Sequence, residues 1–223
     1  MIPELAVWLI FLLPLGSFVA IGLVVRPFLN QYSKLAGYLT VLTVALSMVL
    51  SVWALGTVNR HGWDSGSFVP HEWLSVGGLQ INVGILLDPL TAIMLVVVSG
   101  VSLLVQVYSI GYMKGDPGYA RYFAFMSLFT ASMLGLVMAS GIVQLYVFWE
   151  LVGLCSYLLI GFWYHRPAAA AAAKKAFIVT RLGDLGFLLA ILYLFLNAGA
   201  IGGNALDISV INEALPAAVN AGL

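Results

Sequence analysis

Three charged side chains sit inside apolar runs long enough to cross a membrane. Glu150 is the only charged residue in GIVQLYVFWELVGLCSYLLIGFWY, residues 141–164. Arg181 and Asp184 lie in the next run, FIVTRLGDLGFLLAILYLFL, residues 177–196. A charge at bilayer depth costs roughly 2.5–3.5 kcal/mol on insertion scales, so it persists only where it is paired or hydrated. Burial disfavours a charged carboxylate and a neighbouring cation favours it, so a carboxylate held between the two can take and release a proton. Glu150 is the ninth residue of its segment, roughly 13 Å in at 1.5 Å per residue and so near the middle of a core about 30 Å thick. The chemistry these residues could do is ion transfer, and the ion expected is a proton. The plainer role for Glu150 is a structural hydrogen bond to a neighbouring helix.

Arg181 and Asp184 are three residues apart, which places them on one helical face within reach of each other. They could be inert glue between helices, or a switchable pair whose opening changes the field at Glu150. Lys175 opens the same segment. A lysine shifts its proton affinity readily when desolvated and could serve the ion path at the membrane edge. Lys174 and Lys175 would equally be placed there by orientation alone. Asp88 precedes Pro89 at the head of another apolar run, a helix-capping arrangement. The aromatics around Glu150, including Phe148, Trp149, Trp163 and Tyr164, read as packing or interface belt.

The elements that must position these residues follow from composition. Of 223 residues, 62% are hydrophobic and 8% charged, against about 25% charged in a soluble domain. The chain is expected to be an integral, all-α membrane protein. Six stretches of roughly 20 apolar residues qualify as spans: Leu5–Val25 with a kink at Pro14, Leu35–Gly56, Leu86–Tyr112, Tyr122–Ala139, Ile142–Tyr164 and Lys175–Asn197. The first lacks a basic leader and is too long for a signal peptide. Pro167 and the six alanines after it read as a helical lead-in to the sixth. Between the second and third spans, HEWLSVGGLQINV (residues 71–83) alternates apolar and polar residues around Gly77–Gly78, which predicts a β-hairpin on one membrane face rather than an irregular loop. The expected divisions are three leading helices over 1–121 with the hairpin loop at 57–85, three further helices over 122–197, and a small polar tail over 198–223.

Seven basic residues (Arg26, Lys34, Lys114, Arg121, Arg166, Lys174, Lys175) fall in the loops on one side of a six-helix topology, against Arg60 alone on the other. That bias predicts an extracytoplasmic N-terminus. The charges cancel overall, and no basic stripe for nucleic acid is present. Cys155 stands alone and His61, His71 and His165 are scattered, so neither a disulfide nor a metal site is expected. No GxGxxG, GxxxxGK[ST] or cysteine cluster occurs, so nucleotide, flavin, haem and iron–sulfur cofactors are not expected in this chain.

The strings FWELVGLCSYLLIGFWYH (148–165), KAFIVTRLGD (175–184), LDPLT (87–91) and YSIGYM (108–113) closely resemble the L-type (chain 5) subunit of respiratory complex I, the proton-translocating NADH–quinone oxidoreductase. The hairpin resembles it too. The resemblance implies an antiporter-like fold whose N-terminal part this chain would be. It implies residence in a bacterial plasma membrane or inner mitochondrial membrane, and other complex I membrane subunits as partners, above all a neighbouring antiporter-like subunit. In that family the glutamate matching Glu150 pairs with a lysine on a following, broken helix, and the positions matching Arg181 and Asp184 form an ion pair at the subunit contact. The family's subunit is several hundred residues longer, so the chain reads as an N-terminal fragment in which Glu150 lacks that lysine partner. The competing readings are an Mrp-type cation/proton antiporter subunit, a membrane-bound hydrogenase subunit, and a scaffold whose charges only bind helices together.

Overall fold

A computed structural model describes residues 2–28, 33–61, 68–76, 79–198 and 204–220. Six of its helices are long and apolar enough to cross a membrane. Helix α1 (Glu4–Ala20) continues through a π-helical stretch, Ile21–Val25, into Arg26–Phe28. Helix α2 is Lys34–His61, α3 Pro89–Tyr112, α4 Tyr119–Val137, α5 Ile142–Ile160 and α6 Pro167–Leu196. The alanine run is the first part of α6, as its composition suggests, with Pro167 at the first helical position. The expected hairpin is present as β1 (His71–Val76) paired antiparallel with β2 (Leu79–Val83). Its glycine turn, 77–78, lies outside the described residues. The tail, read from sequence as weakly patterned, carries a further helix, α7 (Ile208–Asn220).

Helix α4 is the hub, packing against α1, α2, α3 and α5. Small and hydroxyl side chains let it do so. Ser127, Thr130, Ala131 and Leu134 are all fully buried, and a Cβ on Gly135 would stand 2.5 Å from the Phe148 ring of α5. In lipid the drive for helix association comes from such close packing and from interhelical hydrogen bonds rather than from hydrophobicity. Buried polar groups therefore run along the inner face of α3. Ser102 shares a 3.0 Å hydrogen bond with Thr130, and the Gln106 amide donates to Thr130 Oγ1 at 3.1 Å. Ser109 meets the Tyr122 hydroxyl at 3.1 Å.

Pro14 lies inside α1. Its missing N–H leaves the Ile10 carbonyl without its helical donor. Ser47 of α2 supplies one, its Oγ donating to Ile10 O at 2.9 Å. The Pro14 carbonyl in turn accepts from Ser17 and from Ser127 of α4, whose hydroxyls also contact each other. The helix break is thus converted into cross-links to two neighbours.

The hairpin end of the bundle is stitched to the start of α5. Gln144 clamps the Gly84 peptide from both sides, accepting from its N–H at 3.0 Å and donating to its carbonyl at 3.1 Å. The Leu86 amide donates to Met138 O at 3.0 Å. Ile142 donates to Leu206 O at 2.8 Å, and Ile208 to Ser140 O at 2.9 Å, so the tail forms a short bridge onto residues 140–142. The Asp207 carboxylate accepts from the Asn82 side chain at 3.1 Å.

Partial burial pushes the Asp207 carboxyl above its usual range, against the opposing pull of the Asn82 amide. A folded-state acid held above its unfolded value binds more protons folded than unfolded, so the contact is favoured at low pH and loses stability as pH rises through the carboxylate range. Hydrogen exchange at the Ile142 and Ile208 amides should therefore speed up, after correction for intrinsic rates, as pH rises through and above the ordinary carboxylate range. Asp207→Asn should abolish that pH dependence.

Candidate functional site

Glu150 sits midway along α5, with nine helical residues after Gly141 reaching it and ten beyond it to Ile160. Gly141, in an extended conformation, starts the helix, and Gly161 ends it. Helix α6 lies against α5 at the edge of the described bundle. The structure brings Glu150, Arg181 and Asp184 into one cluster. Arg181 Nη1 forms an ion pair with Glu150 Oε2 and stands 3.4 Å from Asp184 Oδ2. Arg181 Nη2 donates to the Glu150 backbone carbonyl at 3.2 Å. The guanidinium is therefore held by α5 on one side and by its own helix on the other.

The lysine partner that the resemblance implies for Glu150 lies beyond this sequence, and spacing alone left open which group here faces it. In the structure the cation beside Glu150 is Arg181. The i,i+3 spacing with Asp184 is real, yet the longer reach of arginine lets one guanidinium serve both carboxylates. Lys175 is not part of the cluster. It is exposed near the head of α6, six residues before Arg181 and so roughly 9 Å away along the axis. Among the described residues it has no carboxylate within ion-pair distance.

Three further residues complete the site. Trp149, read from sequence as packing, donates its indole N–H to Asp184 Oδ1 at 2.8 Å. Asp184 is thereby the most enclosed member, its side chain 9% exposed against 25% for Glu150 and 27% for Arg181. Phe177 places its ring 4.5 Å from the guanidinium carbon, a cation–π contact one helical turn before Arg181. Gly153 makes room: a Cβ there would stand 2.8 Å from Arg181 Nη2. Glu150, Arg181 and Phe177, with Tyr146 and Leu154, line an open cavity of ≈ 390 Å³.

Among the described residues, two carboxylates face one guanidinium, and the cavity reaches Glu150 directly. Gly153→Ala tests the geometry. Its methyl group must displace the guanidinium from the Glu150 carbonyl, at about 1–3 kcal/mol for overpacking. Thermal unfolding of the assembled complex should move to lower temperature accordingly, partly offset by the gain in helix propensity from replacing a glycine.

Known proteins match this chain along most of its length. A family model for the N-terminus of NADH–ubiquinone oxidoreductase (complex I) chain 5 matches residues 73–123. A model for the transmembrane region of NADH:quinone oxidoreductases and Mrp antiporters matches residues 139–221. The Mrp complex from Dietzia sp. DQ12-45-1b superposes with a TM-score of 0.68 at 26% identity, over 86% of this chain and 20% of that one. An archaeal membrane-bound sulfane sulfur reductase shares the fold, at a TM-score of 0.72 and 22% identity, over 94% of this chain and 42% of that one. The fold is that of an antiporter-like membrane subunit. NAD(P)H-quinone oxidoreductase subunit 5 of the Paulinella chromatophora chromatophore is 45% identical over 97% of this chain and 32% of its own length. Chain 5 from Synechocystis is 42% identical over 97% of this chain and 31% of its own. The chain belongs to the subunit 5 family of NAD(P)H-quinone oxidoreductases, and it spans about a third of the length of these relatives.

Proposed function

We propose that this chain carries part of the proton-translocating machinery of a respiratory quinone-reducing complex, with electron transfer taking place in other subunits. The observation that carries this reading is the cluster itself: Glu150 and Asp184 share Arg181 midway along two apolar helices, beside an open cavity that Glu150 lines. Glu150 is the group that binds and releases the proton, being the more exposed carboxylate and the one lining the cavity. Arg181 sets the field at both carboxylates. Asp184, fixed by Trp149, holds Arg181 in register. Lys175 acts at the mouth of the path on the basic side of the membrane rather than at the cluster.

Orientation follows from charge. Arg26 and Arg121 line one cavity together with His165, and Lys34 and Lys114 line the cavity next to it, so loops far apart in sequence gather at one end of the bundle. We place that end in the cytoplasm or its equivalent, and the N-terminus and hairpin opposite. The chain itself uses no redox cofactor on this reading. Other antiporter-like membrane subunits are its partners, and Arg181 and Asp184 lie on the outermost described helix, where a neighbour could act on them.

The choice of ion is tested in vesicles holding the assembled complex, with NADH and a soluble quinone as drivers. Proton movement, followed with a pH-sensitive dye, should persist at an unchanged rate in sodium-free medium. An absolute requirement for sodium would overturn the proton assignment in favour of an Mrp-type sodium/proton exchange.

A further inference from the structure

At the basic end of the bundle two adjoining cavities share Arg121 and Tyr164 but differ in character. One, of ≈ 330 Å³, has Arg26, Arg121 and His165 on its walls. The other, of ≈ 370 Å³, runs between α4, α5 and α6 and is walled largely by Phe125, Leu158, Ala170 and Ala173. Among the described residues no carboxylate lines either cavity. We propose that the pair is a binding site for one anionic phospholipid, with the headgroup phosphate in the cationic cavity and the start of an acyl chain in the apolar one.

Arg121 is the pivot. It comes from the first turn of α4, and its guanidinium is braced by the loop after α5. Nη2 donates to the Phe162 carbonyl at 2.9 Å, and the Phe162 and Tyr164 rings lie 4.7 and 5.2 Å from its central carbon. Arg121 Nε is buried and has no hydrogen-bond partner. An unmade bond on a buried charged donor is costly, so such a group points to an acceptor that completes it. The nearby Asp116 does not fill that role, because its carboxylate accepts from the Gly118 amide at 2.6 Å and from Trp163 Nε1 at 3.0 Å. Among the described residues no acidic side chain pairs with Arg121. A phosphate diester offers charge and several acceptor oxygens at once, and planar guanidinium groups match it well. Arg26, from the end of α1, and His165 close the same cavity from other sides. Trp163 and Tyr164 place it at the depth where amphipathic rings and headgroups meet. The site joins α1, α4, α5 and the lead-in to α6, so the lipid would brace the two helices that carry Glu150 and Arg181.

The test uses the chain in its assembled complex with p-benzoylphenylalanine replacing Leu158 in the apolar cavity. The complex is stripped of lipid and given phosphatidylglycerol vesicles, phosphatidylcholine vesicles, or phosphatidylglycerol with added inorganic phosphate. Illumination and mass spectrometry of the labelled peptide should show capture of phosphatidylglycerol in preference to phosphatidylcholine. Capture should fall about fivefold with Arg26→Gln, the scale expected for one basic residue at a charged headgroup, and further with Arg121→Gln. Lys34→Gln, on the same face but outside both cavities, should leave it unchanged. Arg26 is exposed, so its variant remains informative even if Arg121→Gln fails to fold. Equal capture of the two lipids would overturn the proposal, as would capture unaffected by Arg26→Gln. Displacement by inorganic phosphate at equal phosphorus would overturn the lipid assignment, because a free anion would then suffice.

Discussion

Arg181→Gln should give a complex that assembles poorly or not at all. The substitution removes the cation that, among the described residues, serves both carboxylates, one of them almost wholly enclosed. Breaking a buried ion pair by deleting one partner costs about 3–5 kcal/mol, because the remaining charge stays buried and unpaired. About a quarter of the Arg181 side chain is exposed, which places the cost near 3 kcal/mol, the lower end of that range. A loss of that size is a large fraction of the stability of an ordinary domain. The cause is separable by a second change. Arg181→Gln with Glu150→Gln leaves one buried negative charge instead of two, and Asp184 keeps the Trp149 hydrogen bond. The double variant should therefore recover part of the assembly lost in the single one, as read by the yield of intact complex after detergent extraction. Equal yields of the single variant and wild type would show that the cluster does not hold α5 and α6 together.

Glu150→Gln should have the opposite profile. Among the described residues, neutralising Glu150 leaves Arg181 and Asp184 as a one-to-one pair. Assembly should be retained or improved. Ion movement should collapse, because a glutamine cannot carry a proton at any working pH. The expected loss is at least tenfold in protons moved per electron, measured by dye response against NADH oxidation in the same vesicles, with the electron-transfer rate falling less. A scaffold role for the charges predicts the reverse: damage to assembly with the ratio intact. The two substitutions together thus separate a charge that holds helices from a charge that moves a proton.

Much of this site could be read from sequence for one physical reason. A charged residue in a membrane-length apolar run is costly enough to be conspicuous, and Glu150, Arg181 and Asp184 stand out on that ground alone. Asp88 was legible because an acidic residue before a proline at the head of an apolar run is a helix-capping arrangement, and its Oδ1 does accept from the Thr91 amide at 2.5 Å. The alternation of HEWLSV and LQINV was enough for the hairpin.

What was not legible depends on which faces of separate helices meet. Arg181 and Glu150 are 31 positions apart, and spacing within a helix cannot reveal a partner on another one. Trp149 looked like any membrane aromatic until its indole N–H found Asp184. Gly153 has no meaning in a string until a guanidinium lies over it. Ser99, Ser102, Gln106 and Ser109 do follow a helical period, so the polar face of α3 could have been found by asking which face of an apolar helix carries hydroxyls. Helix α7 escaped because it is too short and too mixed in composition to be read as a span. The footing of its first residues on residues 140–142 comes from backbone hydrogen bonds, which leave no trace in residue type.

Translocation by Glu150 requires that its carboxyl group change protonation during turnover. Infrared difference spectra of the assembled complex, resting against NADH-reduced, report this directly through the C=O stretch of a protonated carboxyl group. The expected result is a carboxyl band that appears or disappears on reduction, shifts in D2O and is absent in Glu150→Gln. A turnover-linked spectrum identical in wild type and Glu150→Gln would contradict a proton-carrying role for this residue.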